Sequence, residues 1–118
     1  MALTAGIDAG TQSVKVVVYD DQARRVVASA HAPLELTSGD DGTREQHPDA
    51  WIQAVTQCFA DIDLDVRGRI DAIAISGQQH GFVPVDADGQ VLAPAKLWCD
   101  TSSTEECEEI TDAIGGVG

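Results

Sequence analysis

Two strand-forming runs lie so close together near the start of this chain that only one pairing is open to them. Residues 3–9, LTAGIDA, and 14–19, VKVVVY, are separated by a stub of small and polar residues around Gly10, Thr11 and Gln12. A parallel crossover needs a dozen or more residues, so a link this short demands an antiparallel hairpin. A polar turn at Asp20-Asp21-Gln22 leads to a third β-forming run, Arg25 to Ala32, and predicts a meander. The pattern then changes period. Pro48 suits the first position of a helix and Asp49 its positive end. Trp51, Ile52, Val55, Cys58, Phe59 and Ile62 follow at helical spacing as one apolar face. Ile70 to Ile75, IDAIAI, reads as a buried strand reached by a crossover, hence parallel to an earlier one.

The remaining segments read less regularly. Thr37 to Gln46 is rich in Gly, Asp and other polar residues and reads as a surface loop. Residues 82–85 and 90–92 flank Asp86-Ala87-Asp88-Gly89, a hairpin-type turn, with Pro84 placing its strand at an edge or bulge. Asp100 to Ser103 can cap a last helix, whose first turns carry Glu105, Glu106, Glu108 and Glu109 and which Gly115-Gly116 ends. The sum is an α/β protein with a mixed sheet: three antiparallel strands, then a helix and a parallel strand. The final GGVG does not read as a natural domain end, so a piece of a longer protein is expected.

Charge and cysteine content narrow the function. The chain carries 7 Lys and Arg against 20 Asp and Glu, a net charge of −13, which repels phosphate backbones and disfavours nucleic acid as a partner. No run approaches the ~20 apolar residues of a membrane span, and the start lacks a signal-peptide pattern. Cys58, Cys99 and Cys107 form no C-x-x-C pair, which leaves metal binding by thiols unsupported and favours a reducing, cytoplasmic setting.

Chemistry concentrates at the first turn. Asp8 ends strand one, and Gly10 lets a ligand approach the backbone without a Cβ in the way. The N–H groups of Gly10, Thr11 and Gln12 can line a small anion-binding concavity, with hydroxyls from Thr11 and Ser13 and a positive charge from Lys15. A carboxylate beside a phosphate is repulsive unless a cation lies between, which points to Mg²⁺ held through water by Asp8. The same residues are also ordinary turn formers, so Asp8 bracing its own turn stays open. No P-loop pattern is present.

The stretch GIDAGTQSVKVVVYD resembles the first phosphate motif of the actin, sugar-kinase and chaperone ATPase superfamily, in which a β-hairpin embraces the phosphates. Together with EQHPDAWIQA, ISGQQHG and LWCDTSS, in that order, it resembles the FGGY carbohydrate kinases, most closely those acting on xylulose. The resemblance implies a ribonuclease H-like, actin-like ATPase domain, of which residues 1–118 would be the N-terminal portion. It implies ATP-dependent phosphorylation of a sugar, D-xylulose to D-xylulose 5-phosphate, with ATP and Mg²⁺. It implies that Gln79, His80, Trp98 and Asp100 contact the sugar. His80 would bond hydroxyls, Trp98 would offer a flat apolar face, and Asp100 an acceptor. Relatives more often carry Met at the place of Gln79 and Arg at the place of Ser102. For His80 a structural hydrogen bond, for Trp98 a place in the core, and for Asp100 a capping role are the other readings.

No general base is evident in this chain; the resemblance places that aspartate beyond residue 118, and the adenosine site in a later domain. The piece alone is therefore expected to be inactive. The complete enzyme could be a homodimer. Three alternatives stand: a related kinase acting on glycerol, ribulose or gluconate, a non-catalytic actin-like ATP-binding module, or a stand-alone binding domain.

Overall fold

The computed structural model describes residues 2–116. Three strands, β1 (Leu3–Ala9), β2 (Ser13–Asp20) and β3 (Arg25–Pro33), form the antiparallel meander. Helix α1 (Pro48–Ala60) and a single turn α2 (Leu64–Arg67) carry the chain across to β6 (Ile70–Gly77), which runs parallel to β1. The sheet order is β3-β2-β1-β6. This is the mixed sheet expected of a ribonuclease H-like domain.

Strict alternation in β1 and β2 decides which side chains face the core. Leu3, Ala5 and Ile7 are buried, as are Val14, Val16 and Val18. All six join one core cluster with Ala54 and Cys58 of α1 and with Ile62, just past the helix end. Each fully buried valine is worth about 1.5–3 kcal/mol of burial. The opposite parity, Thr4, Gly6 and Asp8, leaves the sheet on the other face. A one-residue slip would carry Asp8 into the core, so the hydrophobic pattern itself sets where that carboxylate stands. His47 caps α1 by accepting the Asp49 N–H on Nδ1 at 3.2 Å, and Pro48 opens the helix as expected.

The structure corrects five expectations. Ile52 is 68% exposed: it stands two residues before Ala54 and so on the other side of the helix. Residues 37–46 are not a plain loop. They form β4 (Thr37–Ser38) and β5 (Arg44–Gln46), which with β7 (Ala95–Lys96) make a second, three-stranded sheet. Its charged side chains stay at the surface while the backbone pairs, so hydropathy carries no trace of it. The segment 82–92 holds its turn, closed by Gly89 N–H to Asp86 C=O at 3.1 Å, but pairs internally only at Val85–Val91. Pro84 supplies no N–H for a longer ladder. Strand β6 is parallel as expected but not buried: Ile73 and Ile75 are exposed, because α1 packs on β2 and β3.

The fifth correction concerns α3 (Thr104–Ala113), whose N-cap is Ser103, with no side-chain cap bond. Asp100 instead shapes the preceding turn. At the other end, Gly115 and Gly116 have φ of +83° and +104°, and donate to Asp112 and Thr111 carbonyls respectively. That closes the helix in the way the paired glycines predict.

Candidate functional site

The β1–β2 turn is held by a bond from Gly10 N–H to Ser13 C=O of 3.0 Å. A Cβ on residue 10 would come within 3.2 Å of that same carbonyl, so a side chain there would crowd the turn. The closure occupies the Gly10 N–H, one of the three groups expected to face an anion. Thr11 and Gln12 N–H have no protein acceptor among the described residues. Asp8 is exposed and, among the described residues, has no ion-pair or hydrogen-bond partner. It therefore does not brace the turn. Lys15 stands opposite it in the β-register, and Ser76 on its other side.

Strand β6 runs parallel to β1, so its carboxyl end delivers Gly77 to His80 beside this turn. A cleft of 390 Å³ opens there, lined by Asp8, Ala9, Gly10, Thr11, Gly77, Gln78, Gln79, His80 and Trp98. Six of the expected site residues thus meet across one cavity: Asp8, Gly10 and Thr11 on one side, Gln79, His80 and Trp98 on the other. His80 holds a left-handed backbone, φ +58°. Strain of this kind, at a cost of about 1–2 kcal/mol, is typical of residues whose placement matters more than local comfort. Trp98 is 60% exposed and donates its indole N–H to Thr11 Oγ1 at 3.2 Å, which leaves the ring face free.

Four expected residues lie outside that cleft. Gln12 is exposed, and its carbonyl accepts the Leu34 N–H. Ser13 spends its carbonyl on the turn. Lys15 shares with Asp8 a second groove, on the open face of the sheet. Asp100 points into its own loop: one oxygen accepts the Arg44 N–H at 2.7 Å, the other the Ser102 N–H and hydroxyl, and Lys96 Nζ lies 3.7 Å away. These donors, the Arg44 N–H foremost, hold its carboxyl well below the usual carboxylate range. Asp100 is thus placed to anchor the loop that carries Trp98. A depressed folded pKa contributes stability above the unfolded value near 3.9, lost as pH falls through the folded one. Asp100→Asn is therefore expected to lower the thermal midpoint of the complete protein at pH 7. The gap to wild type should shrink well below pH 4. An equal gap at both pH values would refute this role.

Gln78, in the cleft wall, and Gln46, outside it, escaped sequence reasoning. Gln78 bridges both sides, accepting from Thr11 Oγ1 at 3.0 Å and donating to Gly10 C=O at 3.1 Å. Gln46 lies behind it, buried, in a stretch that reads as surface loop.

A family model described as the FGGY family of carbohydrate kinases, N-terminal domain, matches residues 3–116. The chain belongs to this family. Among FGGY relatives, it is 36% identical to a xylulose kinase of Haemophilus influenzae, over 94% of this chain and 24% of that protein. It is 42% identical to a xylulose kinase of an Arthrobacter species, over 87% of this chain and 99% of that protein. A crystal structure of a xyloylose kinase from Brucella ovis superposes with a TM-score of 0.82 at 33% identity, covering 96% of this chain and 24% of that one. The chain thus spans about a quarter of the length of the Haemophilus relative. FGGY membership accounts for the sheet order and for the hairpin beside the cleft. Among the described residues no helix is long and apolar enough to cross a membrane.

Proposed function

We propose that this chain is the N-terminal portion of the first domain of an ATP-dependent sugar kinase that converts D-xylulose to D-xylulose 5-phosphate. The observation that carries the proposal is the shared cleft, which puts the hairpin turn and the polar loop after β6 within reach of one bound substrate pair. The named relatives supply the sugar.

The residues fit Mg²⁺ and a triphosphate. No group of three or more metal-ligating side chains occurs among the described residues, but Mg²⁺ keeps most of its waters and needs only one or two carboxylates. The partner-free Asp8 is such a carboxylate. When bound, the ion neutralises the phosphate charge that Asp8 alone would repel. Thr11 and Gln12 N–H then serve phosphate oxygens, with the Thr11 hydroxyl close by. Lys15, opposite Asp8, adds positive charge to the open face beside the turn. Gln79 and His80 hydrogen-bond the sugar hydroxyls, the free face of Trp98 covers its C–H side, and Asp100 holds the Trp98 loop. The base that takes the hydroxyl proton comes from outside this chain, as does the adenosine site. The three cysteines are unpaired, in keeping with a cytoplasmic enzyme.

Steady-state assay of the complete enzyme against xylulose, ribulose, gluconate and glycerol tests the reading. Highest kcat/KM on xylulose is expected. A clear preference for another polyol would reassign the substrate, and nucleotide binding without turnover of any of them would leave an actin-like module.

A further inference from the structure

Gln46 is 2% exposed, yet it ends a strand whose other members are charged. Its side chain is not in the cleft. Its amide Nε2 donates to the Thr11 carbonyl at 2.6 Å, and its Oε1 accepts the Trp51 indole N–H at 2.9 Å. The same oxygen accepts a longer bond from Gln78 Nε2, 3.4 Å. Gln78 in turn bonds the Gly10 carbonyl and the Thr11 hydroxyl, and that hydroxyl accepts from Trp98. Every donor in this chain of bonds meets an acceptor, so both amides have one consistent orientation. The network joins five segments of the fold: the β1–β2 turn, the end of β5, helix α1, the loop after β6 and the Trp98 segment after β7.

Resting on the kinase reading above, we propose that Gln46 is a positioning residue that locks the phosphate turn at Gly10–Thr11 to the sugar loop at Gln78–His80, so that the two walls of the cleft move as one. In-line transfer tolerates little misalignment between donor and acceptor. A displacement of about 1 Å can cost roughly 10²-fold in rate. Gln46 touches neither substrate, so its loss acts on alignment more than on affinity. Buried amides are replaceable by apolar groups where they only fill space. Here methionine would leave the Thr11 carbonyl and the Trp51 N–H without their partner.

The test uses the complete protein with Gln46→Met and, as a second change that leaves the Gln46 amide in place, Trp51→Phe, which removes the N–H that anchors Gln46 together with part of the indole ring. Amide hydrogen exchange is followed at residues 10–13 and 77–81, together with kcat and both KM values. Gln46→Met is expected to speed exchange in both segments together by about 10-fold while β2 and β3 stay protected. It should lower kcat by roughly 10²-fold and move each KM by less than about 3-fold. Trp51→Phe should give the same pattern at smaller amplitude. Unchanged exchange in either segment for a folded Gln46→Met protein overturns the inference. If that variant does not fold, unchanged exchange in Trp51→Phe does so. A wild-type protein that phosphorylates no sugar would overturn the kinase reading instead, and the exchange data would still report on the coupling.

Discussion

Asp8→Asn in the complete enzyme is expected to lower kcat by about 10²–10³-fold, the scale seen when one preorganised electrostatic group is removed from a transition state. Asparagine keeps the shape of the side chain and removes its charge. Magnesium dependence should shift to higher concentration, because the ion loses its protein carboxylate. The fold should be untouched: Asp8 leaves the sheet on the face away from Leu3, Ala5 and Ile7, and no hydrogen bond among the described residues depends on it. Kinetics over a range of Mg²⁺, with a thermal melt as the control, make the measurement. A rate near wild type at ordinary magnesium would leave Asp8 without a role in transfer. A lowered melting point in step with the lost rate would make its role structural.

The second large effect concerns His80, and the backbone makes it separable from stability. His80→Ala removes the imidazole but keeps a Cβ in the left-handed region. His80→Gly removes the imidazole and the strain. Both are expected to raise the sugar KM by about 10-fold or more, the worth of one or two well-made hydrogen bonds, with a smaller change in the ATP KM. The glycine variant should be more stable than the alanine variant by about 1 kcal/mol. A larger rise in the ATP KM than in the sugar KM would move His80 to the nucleotide side. Equal stability of the two variants would mean that the loop relaxes out of the left-handed region once the imidazole is gone.

These predictions draw unequally on sequence and structure. The hairpin, its register and the exposure of Asp8 follow from residues 3–19 alone, because alternation of period two and a link too short for a crossover leave one solution. Helix α1 and the parallel strand β6 were legible for similar reasons of period and length. The quoted motifs also pointed to Gln79, His80 and Trp98.

What no local pattern contains is the meeting of those segments. Gln46 sits in a polar, glycine-bearing stretch whose hydropathy gives no sign that its amide is buried. It is buried because β5 pairs with β7, from a segment near residue 95, and because α1 turns Trp51 back over it. Asp100 reads as a substrate acceptor beside Trp98 until the fold brings the Arg44 N–H to it across the sequence. Short-range order was written in hydrophobic period and turn chemistry, which act between neighbours. The partners of buried polar groups were decided only by tertiary contact, because a hydrogen bond is satisfied by whichever group the folded chain brings within 3 Å.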